Sequence, residues 1–252
     1  MNSHKSELDL TLLQSWFIFD RPFISGSEGI LRCSCSNRLA GFCAAALCAS
    51  LATSTALATE LTFDIFGLGD GSIIPATYGD RVTSSSSGGF SYGTAGGFTP
   101  NVVVDYPLPL SYWSTGYSDL TNVAYYEPDG ASNFSIVFTA DPGFGVLLSG
   151  LDIGNWGPTI TLPSLRILDH NGAEVYRQNN ILLAANPAPH VHIDFPAGVS
   201  DSALTISIDL SGLGGNSDNV ALDNIRFSQG VPEPTVMILL PFACALLRRR
   251  RS

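Results

Sequence analysis

The sequence predicts an all-β protein, a single β-sandwich over residues 59–229, and three observations carry that prediction. Apolar and polar residues alternate with a period of two in several stretches, which places one strand face on a core and the other in water. Turn-forming Gly, Asn and Ser separate those stretches, and no segment between the two ends carries a helical apolar stripe. The two ends read differently, as an N-terminal signal-peptide helix within 1–58 and a short C-terminal hydrophobic helix within 230–252.

The first element is the leader. The apolar run 39–51 follows Arg32 and Arg38 and precedes Ala56-Leu57-Ala58, the small-x-small pattern of a signal peptidase site. Signal peptidase is therefore an expected partner, and the mature chain is expected to start at Thr59. Asp9, Asp20 and Glu28 do not suit a signal n-region, so translation is expected to start downstream of Glu28. Cys33, Cys35, Cys43 and Cys48 lie in this leader and Cys244 near the other end, so the sandwich has neither disulfides nor thiolate metal sites.

In the middle, Leu61, Phe63 and Ile65 alternate with Thr62 and Asp64. Phe134, Ile136 and Phe138 alternate with Ser135 and Val137. Val191, Ile193 and Phe195 alternate with His192 and Asp194, and Leu204, Ile206, Ile208 and Leu210 with Thr205, Ser207 and Asp209. Further strands are expected at 102–106, 123–126, 146–153 and 221–227. Asn171-Gly172, between two β-rich tetrapeptides, predicts a tight hairpin. The Gly- and Ser-rich stretch from Phe66 to Phe98 reads as a long, mobile surface loop. About 170 residues remain for the fold, ample for one buried core.

At the C-terminus, Pro232-Glu233-Pro234 is followed by an apolar segment from Val236 to Leu247, interrupted by Pro241, and then by Arg248, Arg249, Arg250 and Arg251. The prolines end any preceding strand, and the arginines set a positive-inside orientation. This order of parts resembles the PEP-CTERM sorting signal, also described as an ice-binding-protein C-terminal motif. The resemblance implies export in a Gram-negative bacterium, transient retention in the inner membrane, and processing by an exosortase-like enzyme before delivery to the cell surface or extracellular matrix. Two segments, 78–82 and 99–106, look like ones in uncharacterised passengers of that class. The stretch Val220 to Phe227 is similar to the last strand of galactose-binding-like domains, which implies a jelly-roll-like sandwich and transfers no sugar-binding residues.

Composition narrows the partners. The net charge is −10, and between Thr59 and Val231 seventeen acids face four arginines and no lysine. Nucleic-acid binding needs clustered Lys and Arg, so that class is excluded. No thiol or Schiff-base chemistry is open to residues 59–231, and no nucleophile elbow, a Gly-x-Ser-x-Gly turn between strand and helix, is predicted. The chain is read as a non-enzyme: a structural or carbohydrate-binding protein, with exopolysaccharide as the candidate ligand. The alternatives are a secreted glycan-active enzyme, which needs two facing carboxylates, and a purely structural matrix or adhesion protein. Calcium is the candidate ion, held by Glu60 and Asp64 of the first strand with Asp218, Asn219 and Asp223 near the last. His190 and His192, with Asp194, form a candidate metal-ligating row. Tyr112, Trp113 and Tyr117 are the candidate aromatic platform for a glycan.

Overall fold

The computed structural model describes residues 58–230, apart from 96, 197 and 198. The leader and the sorting tail, including Ala56, Pro232 to Pro234 and Arg248 to Arg251, lie outside the described residues; Ala58 opens the first strand.

The strands run β1 (Ala58–Leu61), β2 (Ser86–Ser87), β3 (Phe90–Ser91), β4 (Gly93–Ala95), β5 (Val102–Asp105), β6 (Ser111–Tyr117), β7 (Leu120–Tyr125), β8 (Asn133–Ala140), β9 (Gly145–Asn155), β10 (Ile160–Leu168), β11 (Glu174–Leu183), β12 (Val191–Asp194), β13 (Ser200–Asp201), β14 (Ala203–Asp209) and β15 (Val220–Gly230). A single 3-10 turn, Gly214–Asn219, is the helical element among the described residues. Two main sheets result, antiparallel throughout. The larger has eight strands, ordered β12-β9-β15-β1-β4, with β13 also on β9 and the β6–β7 pair attached to β15. The second has five, ordered β11-β10-β14-β8-β5, and β2–β3 form a separate hairpin.

The period-two pattern explains the packing. Phe134, Ile136 and Phe138 of β8 are buried, as are Leu204, Ile206 and Ile208 of β14. Across the sandwich, Leu151, Ile153, Leu222, Ile225 and Phe227 complete one core. Phe138 and Phe227 join the sheets with ring centroids 4.9 Å apart. The predicted hairpin is present: β10 pairs with β11, Asp169 N–H donates to Ala173 O, and Gly172 takes φ +79°.

The stretch from Phe66 to Phe98 differs from the expected mobile loop. It carries β2, β3 and β4, and it sends Tyr78 and Tyr92 into the core, stacked at 5.1 Å. The Tyr78 hydroxyl donates to Ser91 O, and Gly79, at φ +96°, leaves space that a Cβ would take from Val104. Gly and Ser here serve tight turns around buried aromatics, so composition alone gives the wrong answer.

Candidate functional site

The long β9–β15 pair organises the surroundings of the site. Asp223 opposes Asp152; one extra β15 residue then lies between Asp223 and Arg226, with Asn224 at φ +49°. On its other edge β15 changes partner at the same place. Ala221 and Leu222 pair with Tyr125 and Ala124 of β7, whereas Ile225 pairs with Leu61 of β1. Where β1 and β7 part from β15, Phe63 and Asn122 both take left-handed backbone angles, φ +51° and +60°. Asp64 and Asn122 meet there.

That meeting lines an open concavity of about 490 Å³, walled by Asp64, Phe66, Phe90, Ser91, Tyr112 and Asn122. Asn122 Nδ2 donates to Asp64 Oδ1, Thr62 Oγ1 donates to Asp64 Oδ2 at 3.2 Å, and the Tyr112 hydroxyl donates to Asn122 Oδ1 at 2.6 Å. Phe66 N–H bonds Gly89 O and Ser91 N–H bonds Asp64 O, which fixes the rim. Phe66 itself stands 93% exposed beside these polar groups. Asp64 is the one carboxylate among the lining residues. Gly89-Phe90-Ser91-Tyr92-Gly93 has the spacing of a nucleophile elbow, but Ser91 ends the two-residue strand β3 and β4 follows rather than a helix. The described histidines take carboxylates elsewhere as partners.

The candidate calcium ligands do not assemble as one set. Glu60, Asp64 and Asp223 share a neighbourhood, but Glu60 accepts from Arg226 Nε at 2.7 Å. Asp218 and Asn219 belong to the 3-10 turn before β15, where Asp218 O accepts from the Tyr117 hydroxyl and Asn219 contacts Asn216. Three residue steps, about 10 Å, separate Val220 at the start of β15 from Asp223. The aromatic trio also splits. Tyr112 packs in the main core, while Trp113 and Tyr117 join Tyr125 in a smaller cluster with Ala221. Trp156, absent from the sequence-based platform, is 43% exposed, edge-on to Trp113 at 5.4 Å and tilted on Tyr117 at 5.6 Å.

Each imidazole of the His190–His192 row hydrogen-bonds a carboxylate. His190 Nδ1 lies 2.8 Å from Asp119, and His192 sits between Asp152 at 2.5 Å and Asp194 at 3.0 Å. The Asp152 hydrogen bond, followed by the one to Asp194, raises the pKa of His192. Asp152, 3% exposed, also accepts from Asn224 Nδ2 at 2.7 Å. Cross-strand from it, Asp223 is 4% exposed and accepts from Asn224 N–H at 2.7 Å. Burial, then the charges of Asp152, Asp64 and Glu60, push its carboxyl up to about 8.

A proton held to about pH 8 in the folded state is lost near 3.9 in the unfolded chain. The folded state therefore binds more protons across that interval, and stability falls as pH rises from about 4 to 8. Asp223→Asn keeps an oxygen for Asn224 N–H and removes the titration. Its melting temperature is expected to exceed the parent's at pH 8 by about 2–4 °C per kcal/mol recovered, with a flatter profile between pH 5 and 8. The decline that remains above pH 6.5 belongs to His192 and His170, whose charged forms are stabilised by Asp152 and Asp201. Profiles of equal slope for parent and variant contradict this assignment.

No protein-family model matches the chain, and no curated protein matches it by sequence. Among solved structures it is similar to an arabinose-bound α-L-arabinofuranosidase at 10% identity and a TM-score of 0.32, covering 68% of this chain and 30% of that one. It is also similar to the enzymatically active domain of tailspike protein 4 of bacteriophage CBA120, at 19% identity and a TM-score of 0.29, covering 52% of this chain and 19% of that one. The chain thus spans a third or less of the length of these structures.

Proposed function

We propose that this chain is an exported surface protein, routed through its C-terminal tail by a PEP-CTERM and exosortase-type system, whose β-sandwich binds a neutral exopolysaccharide. Signal peptidase removes the leader, the inner membrane holds the tail transiently, and the passenger reaches the cell surface or matrix. The adjacency of β1 and β15, the first and last strands, supports the jelly-roll reading of the sandwich.

The observation that carries the binding half is the Asp64–Asn122 pair beside exposed Phe66 in one concavity. A sugar ring offers hydroxyls to a carboxylate and an amide, and an apolar C–H face to an aromatic ring. A pocket with few, fixed polar groups among aromatics is the usual form of such a site. Asp64 repels uronates and sulfated sugars, which favours neutral chains. One lining carboxylate supports binding over hydrolysis, since glycosidases work with two.

Binding to exopolysaccharide from the native host, measured by affinity electrophoresis, tests this half. Asn122→Ala and Phe66→Ala are each expected to weaken binding about tenfold, while Trp156→Ala leaves it unchanged. Equal mobility of all variants contradicts the assignment. For the sorting half, neutral residues in place of Arg248 to Arg251 are expected to prevent processing and surface delivery in that host. Unchanged processing contradicts it.

A further inference from the structure

We propose that Asp169, His170 and Asp201 form a site for a divalent transition-metal ion of the zinc class, independent of the glycan pocket. One donor atom from each lies within 4.8 Å of the other two, and this is the one such trio of His, Cys, Asp or Glu among the described residues. The donor set is mixed, two carboxylate oxygens and an imidazole nitrogen. Calcium and magnesium take oxygen ligands, whereas an imidazole suits zinc and its first-row neighbours.

Asp169 keeps one carboxylate oxygen without a bond, and the other two donors already face each other. Asp169 Oδ1 accepts the N–H groups of Asn171 and Ala173, both at 2.8 Å, which leaves Oδ2 for an ion. Asp201 Oδ1 accepts Ser202 N–H at 2.6 Å, and Oδ2 faces His170 Nδ1, also at 2.6 Å. His170 N–H donates to that same Oδ2 at 3.1 Å. In the metal-free protein a proton bridges imidazole and carboxylate. The ion takes its place, and the proton goes to solvent. The imidazole is half exposed, so the site is accessible. The three residues also come from different sheets. Asp169 and His170 make the β10–β11 turn of the five-stranded sheet, and Asp201 lies on β13, paired with β9 of the eight-stranded one. A bound ion therefore clips the two sheets together at one edge. Three protein donors leave positions for water.

Zinc chloride titrated into the purified full-length protein, followed by calorimetry and thermal unfolding, tests the site. Thiols are alkylated first, because the leader and tail carry cysteines. One saturable equivalent is expected, with a melting temperature raised by about 5–10 °C at a hundredfold excess over Kd. His170→Ala should abolish both effects. Asp169→Asn, which keeps the oxygen that holds the turn, should weaken binding at least about tenfold. His192→Ala should leave both effects intact, as should Asn122→Ala, which damages only the glycan pocket. No saturable binding in the parent, undiminished binding by His170→Ala, or loss in His192→Ala overturns the proposal.

Discussion

The constraint on which the rest depends is the β9–β15 pair, eleven residues on each strand, at the centre of the larger sheet. Its inward side chains, Leu151, Ile153, Leu222, Ile225 and Phe227, are fully or almost fully buried and meet the five-stranded sheet through the Phe138–Phe227 contact. At about 25 cal/mol per Å² of apolar surface, such side chains outweigh any surface ion pair in this molecule. The pair is irregular, however. The extra β15 residue between Asp223 and Arg226 is answered by one in β9 between Leu148 and Gly150, so the register is restored by Phe227. A bulge increases the twist of its strand and bends the chain beyond it. Here it allows two different strands, β7 and β1, to share one edge of β15.

Both acidic features result from that sharing. At the change of partner, Phe63 beyond β1 and Asn122 within β7 take left-handed angles, and Asp64 meets Asn122 beside the concavity. At the bulge, Asp152 and Asp223 oppose each other on central strands, an arrangement of like charges that costs stability unless compensated. His192, Asn224 and a retained proton on Asp223 supply the compensation. The acids that look alike in the sequence thus have separate tasks. Asp64 faces solvent, Glu60 pairs with Arg226, Asp223 is neutralised, and Asp169 and Asp201 hold a turn against the neighbouring sheet.

The sandwich is legible because burial imposes a period of two. Three of the four alternating stretches lie on β8, β12 and β14, and Asn171-Gly172 forms the turn it predicts; the first stretch leaves β1 at Leu61, and Phe63 and Asp64 lie beyond the strand. The segment from Phe66 to Phe98 is not legible, since its Gly and Ser content outweighs two buried tyrosines, and their stacking depends on distant strands. The pocket is half legible. Asp64 and Tyr112 stand out as an acid and an aromatic, but Asn122 does not, and its partner lies 58 residues away. His170 reads as part of a hairpin turn, and its carboxylate partner is 31 residues downstream on another sheet. Trp156 does not stand out because it is alone in its stretch, and the fold alone places it against Trp113.

The central claim is that a rigid strand pair presents a glycan pocket at the break in its edge. Amide hydrogen exchange, with and without saturating exopolysaccharide, tests it most directly. The β9–β15 amides should exchange only by global unfolding, at rates the glycan does not change beyond its effect on overall stability. Phe66 and Ser91, whose N–H groups form the rim, should slow markedly when the glycan binds. Slowing confined to Trp156 and Gly157, or no slowing at Phe66 and Ser91, contradicts the account.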